Sequence, residues 1–501
     1  MSKLLRVLIF LGALLLVLAV MVLLGVRSAD RSAFQKYQAE LVANGEKLTF
    51  AELTRGRQTN AVDSHALITN AVAKLSGARL TPGLLDVRRY VGPGQASVMW
   101  RQAGPKASPT WITPTGPGSS LGTWEEFAAQ MQAARGALQE IREALKEPVA
   151  NAGPCTNMLV GRRVNFVAIR YAALWLMQAA ENELHQGRLG LEDLEALAAL
   201  ARMERDEYTL VAQMIRVAVA GIGLEVTWDA LQAPGWTEPQ LERLQKAWEP
   251  VDLVEAVEKG FVGERASGYA IFSMARCSRG PQIPRLLRIG SSAGSSSSKA
   301  TIEDLLMEYL CFPVYKLTSI DADELFYLKT VQEGIAALRL LQAHRPWSEV
   351  RQVGNKAIAE IVTIASSPRK LRYAFSLVSI PNFTKASERA AQAEVERQMA
   401  LAAIALKRYQ LRHGQLPPSL EALVPEFLST VPYDYMAAKP LSYRLKADGS
   451  YVLYSVGEDG KDDGGDPAPP PGTPPGLWGG RDAVWPSPAT EPSDPPRQPD
   501  R

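Results

Sequence analysis

An acidic, glycine-rich stretch near the end of the chain has the residues best suited to chemistry. Residues 458–466 read EDGKDDGGD, with five carboxylates and three glycines. Calcium binds roughly six to eight carboxylate and carbonyl oxygens, and glycines let a loop wrap tightly around an ion. The spacing of these carboxylates is not that of an EF-hand calcium loop. The composition therefore suggests a calcium site, and a solvated acidic turn is the alternative.

The rest of the chain has no recognisable catalytic signature. Neither HExxH nor GxxxxGK[ST] occurs, and the two GxSxG matches, at 118–122 and 290–294, lie in Gly- and Ser-rich stretches without the strand–turn–helix context of a nucleophile elbow. The four histidines are isolated from one another: His65, His185, His344 and His413. We therefore predict no catalytic residues and no organic cofactor, and a non-enzymatic role is the favoured interpretation.

Regular elements precede the acidic loop and must position it. Hydrophobic periodicity predicts a long helix over residues 387–412 and alternating strands over 441–445 and 451–455. Glycine and proline mark the breaks between these elements: Gly414, Pro417, Pro418 and Gly449. Together these signals predict a small α+β unit over residues 385–466, in which the helix packs on a short antiparallel sheet.

The order of these motifs resembles the C-terminal globular part of type II secretion pseudopilins of the major (G) kind. The matching stretches are YQLRHG at 409–414, LVP at 423–425, VPYD at 431–434, KPLSY at 439–443 and YSVGEDG at 454–460. Pseudopilins of this kind bind calcium in the corresponding loop. The resemblance therefore implies a calcium site with these ligands: Ser455, Asp459, Asp462 and Asp463.

The chain also departs from the pseudopilin pattern. A pseudopilin has a short leader ending in glycine before an FTLIE-like start, and residues 1–26 contain nothing of that kind. Roughly 360 residues separate the apolar N-terminal run from the module. Tyr435 stands where proline commonly follows the aspartate. The resemblance thus implies a shared module within a larger membrane-anchored bacterial protein, and not a pseudopilus subunit.

The N-terminal end predicts a membrane anchor. Residues 7–26 form an uncharged apolar run after Lys3 and Arg6. Such a helix spans roughly the 30 Å hydrocarbon core of a bilayer. A cleaved signal peptide is the alternative, but Arg27 disfavours cleavage after this run. We predict a single-pass protein of the cytoplasmic (inner) membrane with the bulk of the chain extracytoplasmic.

Hydrophobic periodicity predicts a mainly α-helical fold, and composition limits the partners. The net charge of +2 provides no basic field for nucleic acid, so none is predicted. The three cysteines are too few for a disulfide scaffold: Cys155, Cys277 and Cys311.

The predicted segments are an anchor at 1–29, membrane-proximal helices and loops at 30–122, helical regions at 123–289 and 300–384 separated by a Ser/Gly linker at 290–299, the module at 385–466 and a disordered Pro-rich tail at 467–501.

Within the helical regions, continuous helices are predicted over residues 191–219 and 237–259. The favoured function is that of a structural or interaction protein associated with a secretion or envelope assembly, with protein partners in the cell envelope. The alternative is an extracytoplasmic hydrolase or ligand-binding protein with its site among these helices. A polar pocket with convergent carboxylates would favour an enzyme, and an apolar groove would favour ligand or peptide binding.

Overall fold

The computed structural model describes residues 3–55, 64–75, 90–101, 124–146, 165–277, 311–380 and 383–489, and helices predominate among them. This confirms the predicted mainly α fold class. The predicted linker at 290–299 and Cys155 lie outside the described residues. The helices are α1 Lys3–Ala43, α2 Phe50–Thr54, α3 Ser64–Lys74, α4 Trp124–Ala144, α5 Phe166–His185, α6 Leu191–Arg202, α7 Leu210–Leu231, α8 Glu238–Trp248, α9 Leu253–Cys277, α10 Phe312–Thr318, α11 Ile320–Gln342, α12 Trp347–Ala365, α13 Ala374–Ser379 and α14 Phe383–His413.

Helix α1 has two halves with different surroundings. It is continuous over 41 residues, about 60 Å at the usual rise. In the N-terminal half, large apolar side chains such as Phe10 and Met21 are exposed to 69% and 55%. In the C-terminal half, Phe34 and Leu41 are buried, and Arg372 Nη2 lies 2.5 Å from Asp30 Oδ2. Among the α1 residues whose side chains are described, those of the second half are therefore the ones that pack on the body of the protein.

Helices α7, α9, α11 and α14 form the centre of the body. Helix α14 packs against α7, α8, α9 and α12, and α9 lies against both α7 and α11. One cluster of buried apolar side chains extends from Phe34 to Trp485, so the C-terminal helix and sheet share the core of the helical regions. Of the helices whose side chains are described, one is long and apolar enough to cross a membrane. This helix is α7, and 67% of its apolar window is buried within the protein.

Two helices predicted to be continuous are interrupted. The helix predicted over 191–219 is divided into α6 and α7 by a turn in which Glu204 adopts a positive φ of 58°. The helix predicted over 237–259 ends with α8 before Pro250, and α9 begins at Leu253. Proline lacks an amide hydrogen and clashes with the preceding turn, which explains the second break.

The C-terminal region contains short strands next to α14. Strands β3 Tyr433–Asp434 and β4 Lys439–Pro440 pair with each other. Strands β5 Ser442–Leu445, β6 Tyr451–Ser455 and β7 Ala483–Val484 form an antiparallel sheet in that order. The predicted hairpin is present, with Gly449 at φ 80° in its turn. A third sheet joins β1 Tyr90–Gly92, β2 Gln95–Ala96 and β8 Ser487–Pro488.

The prediction of a disordered tail at 467–501 is wrong for residues 467–489. This segment contributes β7 and β8, and Trp485 in it is buried. The Trp485 amide donates a hydrogen bond of 2.8 Å to the carbonyl of Leu453 in β6. The segment is ordered because its few apolar side chains fill space beside the sheet. Residues 490–501 lie outside the described residues.

Candidate functional site

The acidic loop begins where β6 ends, and left-handed glycines shape it. Gly457, Gly460, Gly464 and Gly465 all have φ between 72° and 80°. L-residues with a side chain rarely adopt this conformation, so the glycine spacing determines the path of the loop. Strands β6 and β7 enclose the loop and the segment that follows it. The sequence therefore predicted the position of the loop correctly.

Ser455, the first predicted calcium ligand, is buried and donates to another side chain. Its hydroxyl lies 2.8 Å from Asp434 Oδ1. The same carboxylate accepts hydrogen bonds from the amides of Val456 and Met436, at 3.1 and 2.9 Å. Burial raises the pKa of Asp434, while these donors favour its ionised form. Asp434 thus joins β3 to the end of β6.

The carboxylate at the centre of the loop comes from Asp482, which lies beyond the loop in sequence and which sequence analysis missed. Its carboxylate is fully buried and accepts hydrogen bonds from the amides of Asp463, Gly465 and Asp466, at 3.3, 2.7 and 3.0 Å. Burial raises the pKa of Asp482, and the three amides act in the opposite direction. Inward-pointing amides stabilise an anion. The loop is therefore folded around a carboxylate that the chain itself supplies.

Two of the other predicted ligands, Asp459 and Asp462, have separate hydrogen-bond partners. Asp459 accepts from the amide of Lys461 at 3.0 Å. Asp462 accepts from the amide of Gly464 and the hydroxyl of Tyr454, both at 2.9 Å. Among the described residues, no group of three or more His, Cys, Asp or Glu converges closely enough to hold a metal. Calcium binding therefore stays a prediction from the sequence.

Calcium binding has a direct test in the full-length protein. If Asp462 binds the ion, calcium at about 100 times its dissociation constant should stabilise the fold by about 2.7 kcal/mol. The gain should disappear in Asp462→Ala and persist in Asp448→Ala, which alters an exposed carboxylate of the hairpin turn. Thermal unfolding in calcium and in chelator measures the effect. Identical melting curves for the unaltered protein in both buffers would rule out a stabilising site.

A second candidate site is a polar cleft of about 860 Å³ between α4, α5 and α6. Its lining includes four arginines: Arg135, Arg142, Arg188 and Arg243. Three ion pairs line or border the cleft. Arg142 Nη2 lies 2.6 Å from Asp193 Oδ1, Arg243 Nη2 lies 2.7 Å from Glu195 Oε2, and Arg188 pairs with Glu183.

Asp193 is the most unusual group in this cleft. It lies in the first turn of α6 and is buried, while Arg142 is partly exposed. Burial raises the pKa of Asp193 to about 7, although Arg142 favours the ionised carboxylate. A carboxyl group that titrates near neutrality beside a cleft has the proton affinity needed for acid–base chemistry. The sequence did not identify it because burial of one helical aspartate leaves no local pattern.

The raised pKa of Asp193 predicts a pH-dependent stability. The folded protein retains this proton up to about pH 7, whereas the unfolded chain releases it near pH 4. The unfolding free energy should therefore fall as pH rises through this interval, by at most about 1.4 kcal/mol per pH unit from this group. Asp193→Asn should remove that slope. Urea unfolding at several pH values measures it.

Glu195→Gln provides the control for the Asp193 variant, because it breaks a neighbouring but more exposed ion pair. This variant should retain the pH slope of the unaltered protein. If the unfolding free energy changes with pH equally in Asp193→Asn and in the unaltered protein, the raised pKa of Asp193 is contradicted.

An apolar groove of about 210 Å³ lies between α11, α12 and α14. Its lining includes Gly334, Trp347, Val350, Gly354, Ile361 and Phe383. Glu333 is the one carboxylate among the lining residues, and burial raises its pKa. The groove suits an apolar segment better than a charged substrate.

Comparisons with family models, with curated proteins and with solved structures give no match for this chain. The class of protein therefore follows from its own fold. It is a mainly helical protein whose C-terminal helix and small sheets share the core of the helical body.

Proposed function

We propose that this chain is a single-pass protein of the cytoplasmic membrane, anchored by residues 7–26 with its bulk outside the cytoplasm. There it acts as a structural or interaction protein that carries a pseudopilin-like module and binds partners of a secretion or envelope assembly. The observation that carries the proposal is the division of α1 into an exposed apolar half and a packed half.

The exposed half of α1 has the properties of a membrane span. Its twenty-residue uncharged run matches the roughly 30 Å thickness of a bilayer core. Exposure of large apolar side chains in water is costly, at about 25 cal/mol per Å². Burial of Phe10, Leu14 and Leu18 in lipid removes that cost. The packed half continues the same helix into the body, so the anchor and the body are joined without a flexible connection.

Fractionation of cells that express the full chain tests the anchor. The protein should remain in alkaline-washed membranes, and protease added outside the cytoplasmic membrane should digest the bulk. Leu14→Arg combined with Leu18→Arg should release the chain, since each arginine costs about 3 kcal/mol at the centre of a span. Leu411→Arg with Leu445→Arg is the control because both positions are exposed elsewhere. A soluble, N-terminally trimmed protein would contradict the proposal, and full protection from protease would reverse the orientation.

The interaction role is supported by the C-terminal region. A long helix followed by a glycine stop and a small antiparallel sheet is the arrangement that the pseudopilin-like motifs imply. Native gels of membranes solubilised in mild detergent test this role. Migration with envelope proteins in a larger assembly supports it, and a monomer with hydrolytic activity contradicts it.

The polar cleft favours a second candidate function. Its volume of about 860 Å³ accommodates a charged small molecule, and Asp193 lies beside it. The arginines there would bind an acidic ligand, while Asp193 would serve as the proton donor of a hydrolase. If the cleft is the functional site, Arg142→Gln should abolish ligand binding while leaving the assembly on native gels unchanged.

A further inference from the structure

The end of the body nearest the proposed anchor has a distinctive composition. The ion pair between Asp30 and Arg372 lies four residues beyond Val26, the last residue of the apolar run. Four residues of helix span about 6 Å. The segment around Arg372 is therefore held close to the level at which α1 would leave a bilayer.

Exposed apolar and basic side chains occur together at this end of the molecule. Leu371 and Val378 are exposed to 74% and 65%, and Leu317 in α10 to 55%. We use the term anchor-proximal surface for the following exposed residues: Val314, Leu317, Arg369, Lys370, Leu371 and Val378. Single exposed apolar residues are common, but a group of them interleaved with cations marks an interaction site.

Hydrogen bonds to one buried carboxylate hold two elements of this surface together. Asp323 near the start of α11 accepts a hydrogen bond of 2.6 Å from the hydroxyl of Tyr315 in α10. It also accepts hydrogen bonds from the amides of Phe375 and Ser376 in α13, at 2.9 and 3.1 Å. Helices α10 and α13 are therefore fixed relative to each other, and so are the apolar side chains that they expose.

A basic cleft opens beside the anchor at the same end. Its volume is about 370 Å³, and Phe34 and Tyr269 form part of its wall. Four cationic side chains line it: Arg27, Arg31, Arg276 and Lys316. Asp321 is the one carboxylate in the lining, and it pairs with Arg276 Nη2 at 2.7 Å. The positive excess suits a phosphate group.

We propose that the anchor-proximal surface lies on the lipid bilayer, and that the basic cleft receives the headgroup of an anionic phospholipid. Leu317, Leu371 and Val378 enter the interfacial region, and the neighbouring cations contact lipid phosphates. Cations near an anionic membrane are attracted to it, so the neighbouring basic residues favour the contact. This inference rests on the proposed anchor in α1. It adds that the body is fixed to the membrane surface instead of extending away from it.

The test uses the full chain in nanodiscs of phosphatidylcholine, alone or mixed with phosphatidylglycerol. A fluorophore is attached at Leu371→Cys in a variant whose native cysteines are replaced by serine, and lipids with a quencher near the headgroup report contact. The control label is Leu411→Cys, because Leu411 is exposed near the far end of α14. We expect several-fold stronger quenching at position 371 than at 411, increased further by phosphatidylglycerol.

A charge variant tests the lipid preference. Arg369→Gln with Lys370→Gln should reduce the extra quenching caused by phosphatidylglycerol, while the cations of the basic cleft preserve part of it. Lys439→Gln with Lys446→Gln should retain it, since these exposed lysines lie in the C-terminal strands and hairpin. Equal quenching at 371 and 411 in a protein inserted in nanodiscs would overturn the surface contact but leave the anchor intact. Failure of the unaltered chain to insert would instead overturn the anchor and the contact together.

Discussion

Removal of residues 467–501 should lower the melting temperature sharply, whereas removal of residues 490–501 alone should leave it unchanged. The longer truncation removes β7, which is an edge strand of the C-terminal sheet. It also removes Trp485, whose buried ring belongs to the main hydrophobic cluster. Truncation of a buried tryptophan costs about 3–5 kcal/mol. The loss of one side chain is therefore already a large fraction of a typical folding free energy.

Contacts from the same segment reach distant parts of the chain. The indole Nε1 of Trp228, buried in α7, donates a hydrogen bond of 3.0 Å to the carbonyl of Pro486. Truncation would remove this hydrogen bond, which contributes about 0.5–1.5 kcal/mol. Strand β8 pairs with β2, and Asp482 organises the acidic loop. The truncation should therefore destabilise α7 and the acidic loop as well as the sheet.

Circular dichroism melting of the two truncated proteins measures this difference. Trp485→Ala should reproduce much of the loss. Trp478→Ala should cost less, because Trp478 is only partly buried and its indole bonds to Glu396 at 2.7 Å. Residues 490–501 serve as the control because they follow β8, which ends at Pro488. A protein that lacks 467–501 and melts like the unaltered chain would show that the segment contributes little to folding.

The sequence predicted elements whose signals are local. The long C-terminal helix is predicted over 387–412 and is observed over Phe383–His413. Gly414 ends it at φ 74°, as a left-handed residue after a helix should. Strands at 441–445 and 451–455 are also observed within one residue of their predicted limits. Periodicity and glycine chemistry act over a few residues, so they can be recognised without the rest of the fold.

The Pro-rich tail shows where composition misleads. A segment poor in apolar residues is predicted to be disordered because it cannot bury enough surface by itself. Here Trp485 packs into a core that other elements have already formed, and its amide extends an existing sheet. Order in this segment depends on a surface built by residues hundreds of positions away. No sequence pattern within the segment indicates that this surface exists.

The candidate sites also combine features that local sequence indicates with features that depend on the folded structure. The acidic loop could be located from its glycines and carboxylates, but Asp482 was missed because it is a single aspartate 16 residues beyond the loop's last residue, Asp466. Its role arises when β7 pairs with β6 and brings its carboxylate to the loop amides. Asp193 and Arg142 are 51 residues apart in sequence. The cleft that they line forms only when α4 packs on α6.

The substitution Gly263→Ala should destabilise the protein strongly. Gly263 lies in α9 against the turn that joins α6 to α7. A Cβ at this position would lie 1.6 Å from the carbonyl oxygen of Tyr208 and 2.9 Å from its Cβ. No rotamer change can relieve a clash with a main-chain oxygen, so α9 and the turn would have to separate. Overpacking of this kind costs about 3 kcal/mol or more.

Gly136→Ala is the matched control for Gly263→Ala. Gly136 is also within a helix, but a Cβ there would meet nothing within 4 Å. Alanine has a higher helix propensity than glycine, so this variant should gain about 0.5–1 kcal/mol. If close packing decides the outcome, urea unfolding should show a lower unfolding free energy for Gly263→Ala and a higher one for Gly136→Ala. Similar stabilisation by both alanines would mean that the turn at Tyr208 does not rest on α9. Opposite signs would show that the missing Cβ of Gly263 is what allows the turn between α6 and α7 to approach α9.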